Sequence, residues 1–564
     1  MAWSTFTLLA FIPCLFASAR GAWTLNQPGT TGVGAMQIAV VSSDTVLIID
    51  KIENNPLKDA EGKPAWASVY SLKSHTARPL KLVTNSFCAG GGWLSNGTSA
   101  GQHWGNPVVE SGGGKAENGL QGVRLYNPCA ENENCEIFES PNRIRLTSAR
   151  WYPSGARLSD GSLLIIGGAY GGGWTNFKEL NNPTYEFYPP KNINGFNGLQ
   201  IPSQFLVDTL PHNLFPHVFA LPNNQIFVAA NNKTMMLDWQ RNVETRLPDL
   251  PNGQRITYPM SGAGVMLPLR WDKAFAAEIL MCGGSDTDDR VKDTDLSAKT
   301  TPGSSQCSRM VLNNRGLASR KASNTMDDAR GCFAANWPGM IINGASTGTA
   351  GYANLKDQVG VSNADNPVFQ PVLYDPDAPA GKRFSREGLP TSNIPRMYHS
   401  VAGAIFVAGS NPNEDVTERT YGTEYRTEIL YPDYMSKPRP VITRVPDNIE
   451  YNRFNRVIFS MPGAKRSHRR GIFDFFFKKV EVVLMDFGFA THGVHTTPPI
   501  PGTPNPNVYP PGPAWLFVIV DGVPSEAVKV MVGEGRSPPV DLGAIENMLA
   551  NTGNPVPIEA LQHA

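Results

Sequence analysis

The chain has 564 residues, of which 41% are hydrophobic and 17% are charged. This length and composition allow one large core with a smaller second domain, and they exclude an intrinsically disordered protein. Lys and Arg together number 49, as do Asp and Glu. The overall charge therefore gives no reason to expect nucleic acid or an anionic membrane as a partner.

The first 22 residues have the layout of a secretory signal peptide. An apolar run from Phe6 to Phe16 is followed by small residues, as in the apolar region and cleavage site of such peptides. No later segment reaches the roughly 18 consecutive apolar residues of a membrane-spanning helix. We therefore predict that residues 1–22 are removed and that the rest is a soluble, secreted, extracellular monomer. Sequons at Asn96 and Asn232 predict N-glycosylation of such a chain.

Six cysteines remain after this cleavage. They are Cys88, Cys129, Cys135, Cys282, Cys307 and Cys332. An oxidising compartment favours disulfides between them. Cys129 and Cys135 flank a short acidic loop and are a candidate local pair, and Cys282 with Cys307 is a second candidate pair. The sequence alone does not fix this connectivity.

Short β-rich runs that end in Gly-Gly or a similar small turn recur along most of the chain. They are DGSLLIIGG from Asp160, NNQIFVAANN from Asn223, EILMCGGS from Glu278, WPGMIINGAS from Trp337 and GAIFVAGSNPN from Gly403. Recurrence at roughly 50 to 70 residues without helical periodicity is typical of a β-propeller with four-stranded blades. The kelch-like spacing allows six or seven blades, and we predict an all-β, seven-bladed propeller over residues 23–436.

The texture of the sequence changes near residue 437. The Gly-Gly runs stop, and strands such as VEVVLMDFGFATH and PAWLFVIVDGVP alternate with proline-rich turns. This pattern predicts a C-terminal immunoglobulin-like β-sandwich over residues 437–550, followed by a tail over residues 551–564.

Four segments place aromatic, imidazole or thiol groups beside small turns. They are NSFCAGGGW at Cys88, RWYPSGARLSDGSLLIIGG at Tyr152, PRMYHS at Tyr398 and His399, and ATHGVH at His492. Taken singly, Cys88 could be half of a disulfide, Tyr152 a core residue and each histidine a surface residue. Neighbouring side chains on a strand point to opposite faces, so Tyr398 and His399 can share one ligand only at a strand end or turn. Two imidazoles and two phenolates suit tetragonal Cu(II) better than zinc.

In this order, the four segments resemble those of the glyoxal oxidase branch of the galactose oxidase family. The resemblance covers nearly the whole chain after the signal peptide. It implies a copper-radical enzyme with a seven-bladed propeller and a C-terminal immunoglobulin-like domain. It also implies that Cys88 forms a thioether with the ring of Tyr152 and that this pair is a self-processed radical cofactor. Tyr152, His399, His492 and the axial Tyr398 would then be copper ligands.

The resemblance implies further roles outside the ligand set. The family places an aromatic ring over the cross-linked tyrosine, and here Tyr170 or Trp174 could take that position. If Cys88 belongs to the cofactor, Cys332 is the odd thiol.

The same resemblance implies oxidation of small aldehydes and α-hydroxy carbonyls, such as glyoxal and methylglyoxal, to carboxylic acids while O₂ is reduced to H₂O₂. The peroxide could supply extracellular peroxidases. One alternative is a galactose or alcohol oxidase of the same family, and another is an inactive extracellular propeller that binds carbohydrate.

Two stretches, one after Tyr398 and one after His492, are short, which leaves open either a gene-model error or real deletions that abolish activity. Gly167 follows Tyr152 by 15 residues, whereas Gly409 follows Tyr398 by only 11, so a hairpin loop is shortened there. A one-residue slip of register would point a ligand away from copper.

Overall fold

The computed structural model describes residues 23–552, except 103–109, 112–113, 130–132, 313–317, 323–334, 338, 404, 463–478, 493 and 496–503. In these residues the structure is almost entirely β. The described part contains two α-helices, α1 (Gln204–Asp208) and α2 (Leu542–Asn551). Short 3₁₀ turns cover Pro251–Gly253, Trp271–Lys273, Asp293–Asp295 and Asp433–Ser436. None of the described helices is long and apolar enough to cross a membrane.

Seven four-stranded antiparallel units follow one another in the described part of residues 23–436. Strand β1 (Thr24–Asn26) comes first and belongs to the last unit. Unit 1 contains β2 (Gln37–Val40), β3 (Thr45–Ile49), β4 (Ala67–Ser71) and β5 (Ala77–Pro79). Unit 2 contains β6 (Gly90–Trp93), β7 (Ser99–Gln102), β10 (Val123–Tyr126) and β11 (Ile137–Glu139), with the small hairpin β8 (Glu110–Ser111) and β9 (Gly114–Lys115) between them.

The middle units follow the same order. Unit 3 contains β12 (Ser154–Arg157), β13 (Leu163–Ile166), β14 (Thr184–Tyr188) and β15 (Ile201–Pro202). Unit 4 contains β16 (His217–Ala220), β17 (Ile226–Ala230), β18 (Lys233–Asp238) and β19 (Val243–Leu247). Unit 5 contains β20 (Ala263–Met266), β21 (Ala277–Cys282), β22 (Cys307–Leu312) and β23 (Ala318–Ala322).

The last two units complete the series. Unit 6 contains β24 (Ala335–Trp337), β25 (Met340–Ile342), β28 (Val372–Tyr374) and β29 (Phe384–Ser385), with the hairpin β26 (Ala345–Tyr352) and β27 (Ser362–Pro367) inserted. Unit 7 contains β30 (Ser400–Gly403), β31 (Phe406–Gly409), β32 (Glu428–Tyr431) and β1. Because β1 pairs with β32, the two ends of this region share one sheet.

The core lies between neighbouring units. All four residues of β13 are buried, and two of them, Leu164 and Ile166, share one apolar cluster with alternate residues of β17. Strands covered by other sheets on both faces are continuously apolar, whereas half-exposed strands alternate. This explains why the Gly-Gly runs of the sequence are uninterrupted apolar segments.

The C-terminal region forms smaller sheets. Its strands are β33 (Val441–Arg444), β34 (Asn448–Ile449), β35 (Ile458–Ser460), β36 (Val480–Asp486), β37 (Ala490–Thr491), β38 (Val494–His495), β39 (Gly512–Val520), β40 (Val523–Pro524) and β41 (Val528–Val532). Strand β36 pairs with β39 over its whole length, and β39 also pairs with β41. Strand β33 pairs with β35.

One hairpin of this region enters the sheets of the first region. Strand β37 pairs with β2 of unit 1, and its partner β38 pairs with β20 of unit 5. Units 1 and 5 thereby join into one ten-stranded sheet. His492 lies at the turn of this hairpin, so the C-terminal region delivers it between the units.

Two disulfides are present among the described cysteines. Cys282 and Cys307 face each other on β21 and β22. Cys129 and Cys135 close the loop between β10 and β11. These are the two pairs predicted from the sequence, while Cys332 lies outside the described residues.

Candidate metal centre

Five side chains meet where the first strands of several units begin. The sulfur of Cys88 lies 3.8 Å from the Tyr398 hydroxyl, 3.8 Å from Nε2 of His399 and 4.0 Å from Nε2 of His492. The hydroxyl groups of Tyr152 and Tyr398 form a hydrogen bond. The structure therefore brings together all five predicted residues, although they lie up to 404 positions apart in the chain.

Their positions in the fold share one feature. Cys88, Tyr152 and the Tyr398–His399 pair each lie just before the first strand of a unit, namely β6, β12 and β30. The first strands of neighbouring units contact one another, β6 with β12 and β2 with β30, and the residues that precede them lie close together. The sequence could place these residues beside turns, but only the packing of the units brings the turns together.

Four of the five residues have left-handed backbones. The φ angle is 58° at Cys88, 62° at Tyr152, 61° at His399 and 48° at His492. Residues other than glycine rarely adopt this region, and such conformations are concentrated at functional sites, where the surrounding structure enforces them. Each turn departs from strand geometry, which allows the adjacent Tyr398 and His399 side chains to reach the same sulfur.

Two buried arginines anchor the tyrosines in the same way. Arg150 lies two residues before Tyr152, donates from Nε to Glu186 at 2.6 Å and from Nη1 to the carbonyl of Gly167 at 2.9 Å. Its side chain is completely buried. These bonds attach the turn that contains Tyr152 to Gly167, which directly follows β13.

Arg396 stands in the same relation to Tyr398. It donates from Nε to Glu428 at 2.8 Å and from Nη1 to the carbonyl of Gly409 at 2.7 Å. The shortened connection joins β30 to β31 at the far end of this hairpin, where Gly403 pairs with Phe406. The pairing after Tyr398 is offset by one residue from that after Tyr152, because Ser400 pairs with Gly409 whereas Ser154 pairs with Ile166, the residue before Gly167. Tyr398 and His399 nevertheless both lie 3.8 Å from the Cys88 sulfur.

Hydrogen bonds fix the orientation of both imidazoles. Nδ1 of His399 donates to the carbonyl of Asn411 at 2.8 Å. Nδ1 of His492 lies 2.6 Å from the Thr491 hydroxyl, which itself donates to the carbonyl of Met36 at 3.1 Å. The hydroxyl thus accepts from His492, and both histidines carry the proton on Nδ1. Their Nε2 lone pairs point toward the sulfur, as metal-binding histidines require.

Burial dominates the electrostatics of the site. It raises the pKa of the Cys88 thiol and of the Tyr152 and Tyr398 phenols well above their ordinary values. It lowers the pKa of His399 well below the ordinary value and that of His492 to about 3. The imidazoles are therefore neutral at physiological pH, with lone pairs available to a metal ion.

Comparison with known proteins identifies the family. Residues 36–434 match the family described as "Glyoxal oxidase N-terminus". This chain belongs to that family. Residues 495–532 also match the "Galactose oxidase-like, Early set domain" family. The second match agrees with the separate β-sheet region at the C-terminus of this glyoxal oxidase family member.

Two plant proteins and one solved structure are similar over most of the chain. "Aldehyde oxidase GLOX" of Vitis pseudoreticulata is 28% identical, over 91% of this chain and 97% of the relative. "Aldehyde oxidase GLOX1" of Arabidopsis thaliana is 29% identical, over 82% and 74%. The solved structure is a "Novel fungal alcohol oxidase with catalytic diversity among the AA5 family, in complex with copper", with a TM-score of 0.64, 14% identity and coverage of 91% of this chain and 100% of that one. At this identity the structure shows a shared fold.

The donor set of this glyoxal oxidase family member fits copper. Cys88, His399 and His492 place potential ligand atoms within 4.8 Å of one another, and the two phenol oxygens lie beside them. Neutral imidazoles together with phenol oxygens give the mixed nitrogen and oxygen set that Cu(II) prefers. Cys88 is free of disulfides, so its sulfur is available for another bond.

The ring that stacks on Tyr152 differs from the prediction. Trp151 lies 4.2 Å from it, centroid to centroid, with 25° between the planes. Among the described residues, Tyr170 and Trp174 make no ring contact with Tyr152. Tyr170 lines a separate cavity of about 520 Å³ beside Thr552. Trp174 donates from Nε1 to the hydroxyl of Thr349 at 3.2 Å.

Two further aromatic residues at the site were not predicted. Phe215 stacks on the His492 ring at 4.5 Å and lies 4.6 Å from the Tyr152 ring. The Tyr258 ring lies 4.4 Å from the Tyr152 ring and 5.8 Å from the Tyr398 ring, and burial raises its pKa. Both come shortly before the first strand of a unit, β16 or β20, and this position is the signal that could have identified them.

The predicted glycosylation sites lie on turns away from this centre. Asn96 follows β6, and its side chain donates to the Ser537 hydroxyl at 3.1 Å. Asn232 lies in the turn between β17 and β18 and is partly exposed.

Proposed function

We propose that this protein is a secreted copper-radical oxidase that oxidises small aldehydes and α-hydroxy carbonyls, such as glyoxal and methylglyoxal, to carboxylic acids while O₂ is reduced to H₂O₂. One observation carries the proposal. The free thiol of Cys88 lies within 4.0 Å of two imidazole nitrogens and of the Tyr398 hydroxyl, which forms a hydrogen bond with the Tyr152 hydroxyl. Membership of the glyoxal oxidase family supports the substrate class.

The fold proposal follows from the seven units. We infer that they are the blades of a seven-bladed, kelch-like propeller over residues 23–436 and that residues 437–550 form an immunoglobulin-like sandwich. Contacts between first strands of successive units, including β6 with β12 and β24 with β30, support a ring. The pairing of β1 with β32 supplies the last strand of unit 7 from the other end of the chain.

The residues present have defined roles in this proposal. Tyr152, Tyr398, His399 and His492 would hold the copper ion, and Cys88 would be joined to the ring of Tyr152. The bound ion supplies one of the two oxidising equivalents of the reaction, and the oxidised cross-linked tyrosine supplies the other. No organic cofactor is required.

The cross-link forms within the chain. Cys88 and Tyr152 belong to one buried cluster, and the Tyr398 hydroxyl contacts both the Cys88 sulfur and the Tyr152 hydroxyl. A carbon–sulfur bond replaces the thiol S–H and one ring C–H. Two electrons and two protons leave, and dioxygen accepts them as H₂O₂.

The two tyrosines divide the work on the substrate. Burial makes the Tyr398 oxygen strongly basic once it is ionised, so this oxygen accepts the hydroxyl proton of an aldehyde hydrate or alcohol. The oxidised Tyr152 oxygen takes the hydrogen atom from the adjacent carbon. An aldehyde hydrate loses two electrons and two protons in this way and becomes a carboxylic acid. O₂ receives the two electrons and the two protons and becomes H₂O₂.

Trp151 is the ring that protects the oxidised Tyr152 in this proposal. It is 6% exposed and covers one face of the phenol. Phe215 and Tyr258 approach the same ring from other directions. Together they exclude water and keep the one-electron oxidised ring away from other reductants.

Oxygen uptake by the copper-loaded protein tests the function. Uptake with methylglyoxal and glyoxal, together with equimolar H₂O₂, is the expected result. Uptake with galactose or benzyl alcohol alone would instead assign an alcohol oxidase. No uptake with any substrate would contradict the enzyme and leave an extracellular carbohydrate-binding propeller.

Secretion supports a role as a peroxide source for extracellular peroxidases. Two disulfides and the sequons at Asn96 and Asn232 suit an exported chain. Expression in a eukaryotic secretory host should yield extracellular monomer lacking residues 1–22 and carrying glycans at both asparagines. Retention inside the cells or an intact first segment would contradict this part of the proposal.

A further inference from the structure

A buried charged loop lies between two segments of the metal centre. Residues 50–55 follow β3 of unit 1 and contain the ion pair between Lys51 and Glu53, with Nζ 2.7 Å from the carboxylate. Glu53 is completely buried, and Lys51 is only 3% exposed. Burying a charged pair is costly unless every partner is satisfied. A buried pair cannot serve solubility or surface charge, so its role depends on the contacts between this loop and the metal centre.

Glu53 is connected to His399 through a single residue, Asn411. The Asn411 side chain donates to both Glu53 carboxylate oxygens, at 2.9 and 2.8 Å. The Asn411 carbonyl accepts from Nδ1 of His399 at 2.8 Å, and its backbone N–H donates to the carbonyl of Tyr398 at 2.9 Å. Asn411 therefore clamps two adjacent site residues, and Glu53 holds the clamp.

The same loop supports the Cys88 segment. The carbonyl of Asp50 accepts from the Ser86 hydroxyl, and the Ile52 N–H donates to the Asn85 side chain at 3.2 Å. Lys51 lies 6.0 Å from the centre of the Phe87 ring. One loop of unit 1 thus contacts segments of units 2 and 7 that carry Cys88 and His399.

We infer that Glu53 is a positioning residue for the metal centre, which acts through Asn411 to fix the His399 imidazole and to make its Nε2 a better ligand. Because both Glu53 oxygens accept from the Asn411 side chain, Glu53 fixes the position of that residue and of the carbonyl that orients His399. Outer partners of metal-bound histidines orient the ring and raise its basicity, and losing one weakens metal binding about 10- to 100-fold. This inference rests on the proposed function, because it assumes that His399 binds copper.

Glu53→Gln tests the inference because it keeps the shape of the side chain and removes its charge. Anaerobic Cu(II) titration of the variant should give a Kd at least about tenfold above that of the wild type, with a changed Cu(II) electron paramagnetic resonance spectrum. Glu278→Gln is the matched control, since Glu278 forms a buried ion pair with Arg309 between β21 and β22, away from the site. Its copper Kd and spectrum should equal those of the wild type.

Asn411→Ala provides a second variant if Glu53→Gln does not fold. It removes the bonds to Glu53 and keeps the carbonyl that accepts from His399, so it should weaken copper binding in the same direction. A folded Glu53→Gln or Asn411→Ala protein with wild-type Kd and spectrum would overturn the inference. A wild-type protein that binds no copper would instead contradict the proposed function.

Discussion

The buried ion pair beneath Tyr152 allows a quantitative prediction. Glu186 accepts from Nε of Arg150 at 2.6 Å and from the Thr147 N–H at 2.7 Å, and both charged side chains are at most 2% exposed. Glu186→Gln leaves the guanidinium with no compensating charge and with no water to solvate it. Breaking such a pair costs about 3–5 kcal/mol, a large share of the roughly 5–15 kcal/mol that stabilises a folded protein.

Urea unfolding of the metal-free protein measures this cost. The midpoint should fall while the dependence on urea concentration stays the same, because unfolding exposes the same amount of surface in the variant as in the wild type. Combining Glu186→Gln with Arg150→Met should recover part of the loss, since the unpaired charge is then absent, with a coupling energy of about 0.5–3 kcal/mol. Glu428→Gln should behave alike, because Glu428 pairs with Arg396 beneath Tyr398.

The outcomes that refute this reasoning are specific. A loss below about 1 kcal/mol for Glu186→Gln would place the pair among weakly coupled ion pairs. Strict additivity of the two substitutions would show that Arg150 and Glu186 do not act as a unit.

Three further predictions concern the site itself. Peptide mapping should find the Cys88 and Tyr152 peptides joined, with a mass about two hydrogens below the sum of the two. Cys88→Ser should give two separate peptides. An alkylatable Cys88 in active protein would contradict the cross-link. Trp151→Leu should shorten the lifetime of the oxidised tyrosine about two- to tenfold, as loss of a stacked pair worth about 0.5–1.5 kcal/mol implies. Trp151→Phe should largely preserve that lifetime. Decay of the radical absorption measures both lifetimes, and equal lifetimes in Trp151→Leu and the wild type would refute the shielding. Burial lowers the pKa of His492 to about 3, so below about pH 6.5 the unfolded metal-free chain binds a proton that the folded chain does not. Stability therefore decreases as the pH falls, by up to about 1.4 kcal/mol per pH unit. His492→Asn should reduce this loss in urea unfolding measured at pH 7 and 4.5, and an unchanged loss would contradict the burial effect.

The site residues were predictable because each lies in a distinctive local segment. Cys88, Tyr152, Tyr398, His399 and His492 came from four motifs whose order carried the resemblance to the family. Their convergence could not be derived from spacing, because it depends on contacts between units that are far apart in the chain, such as β2 with β30. The hairpin that brings His492 between units 1 and 5 belongs to the other region of the chain, and no local pattern indicates that contact.

The stacking ring shows where counting along the chain fails. Tyr170 and Trp174 lie 18 and 22 residues beyond Tyr152. Neighbouring side chains of a strand point to opposite faces, so regular strand geometry would keep the Trp151 ring away from that of Tyr152. The left-handed φ of 62° at Tyr152 breaks that alternation, and the Trp151 ring lies over its neighbour.

The apolar runs indicated the repeat but not all of its members. Runs at Asp160, Asn223, Glu278, Trp337 and Gly403 belong to units 3 to 7. Units 1 and 2 contain no comparable Gly-Gly run after their second strand, so they were not visible as repeats. The last strand of unit 7 is β1, from the start of the described chain, and a pairing over this distance leaves no trace in a local pattern.

The strained turns explain why this site needs so much support around it. Each left-handed residue costs about 1–3 kcal/mol and persists only where other contacts impose it. At Tyr152 the carbonyl accepts from the Phe215 N–H at 2.8 Å, and at His399 Asn411 holds both the ring and the preceding carbonyl. Each of these contacts comes from another segment of the fold. The geometry of the centre is therefore a property of the assembled units, and a substitution that loosens one unit, such as Glu186→Gln, should disturb a site residue it does not touch.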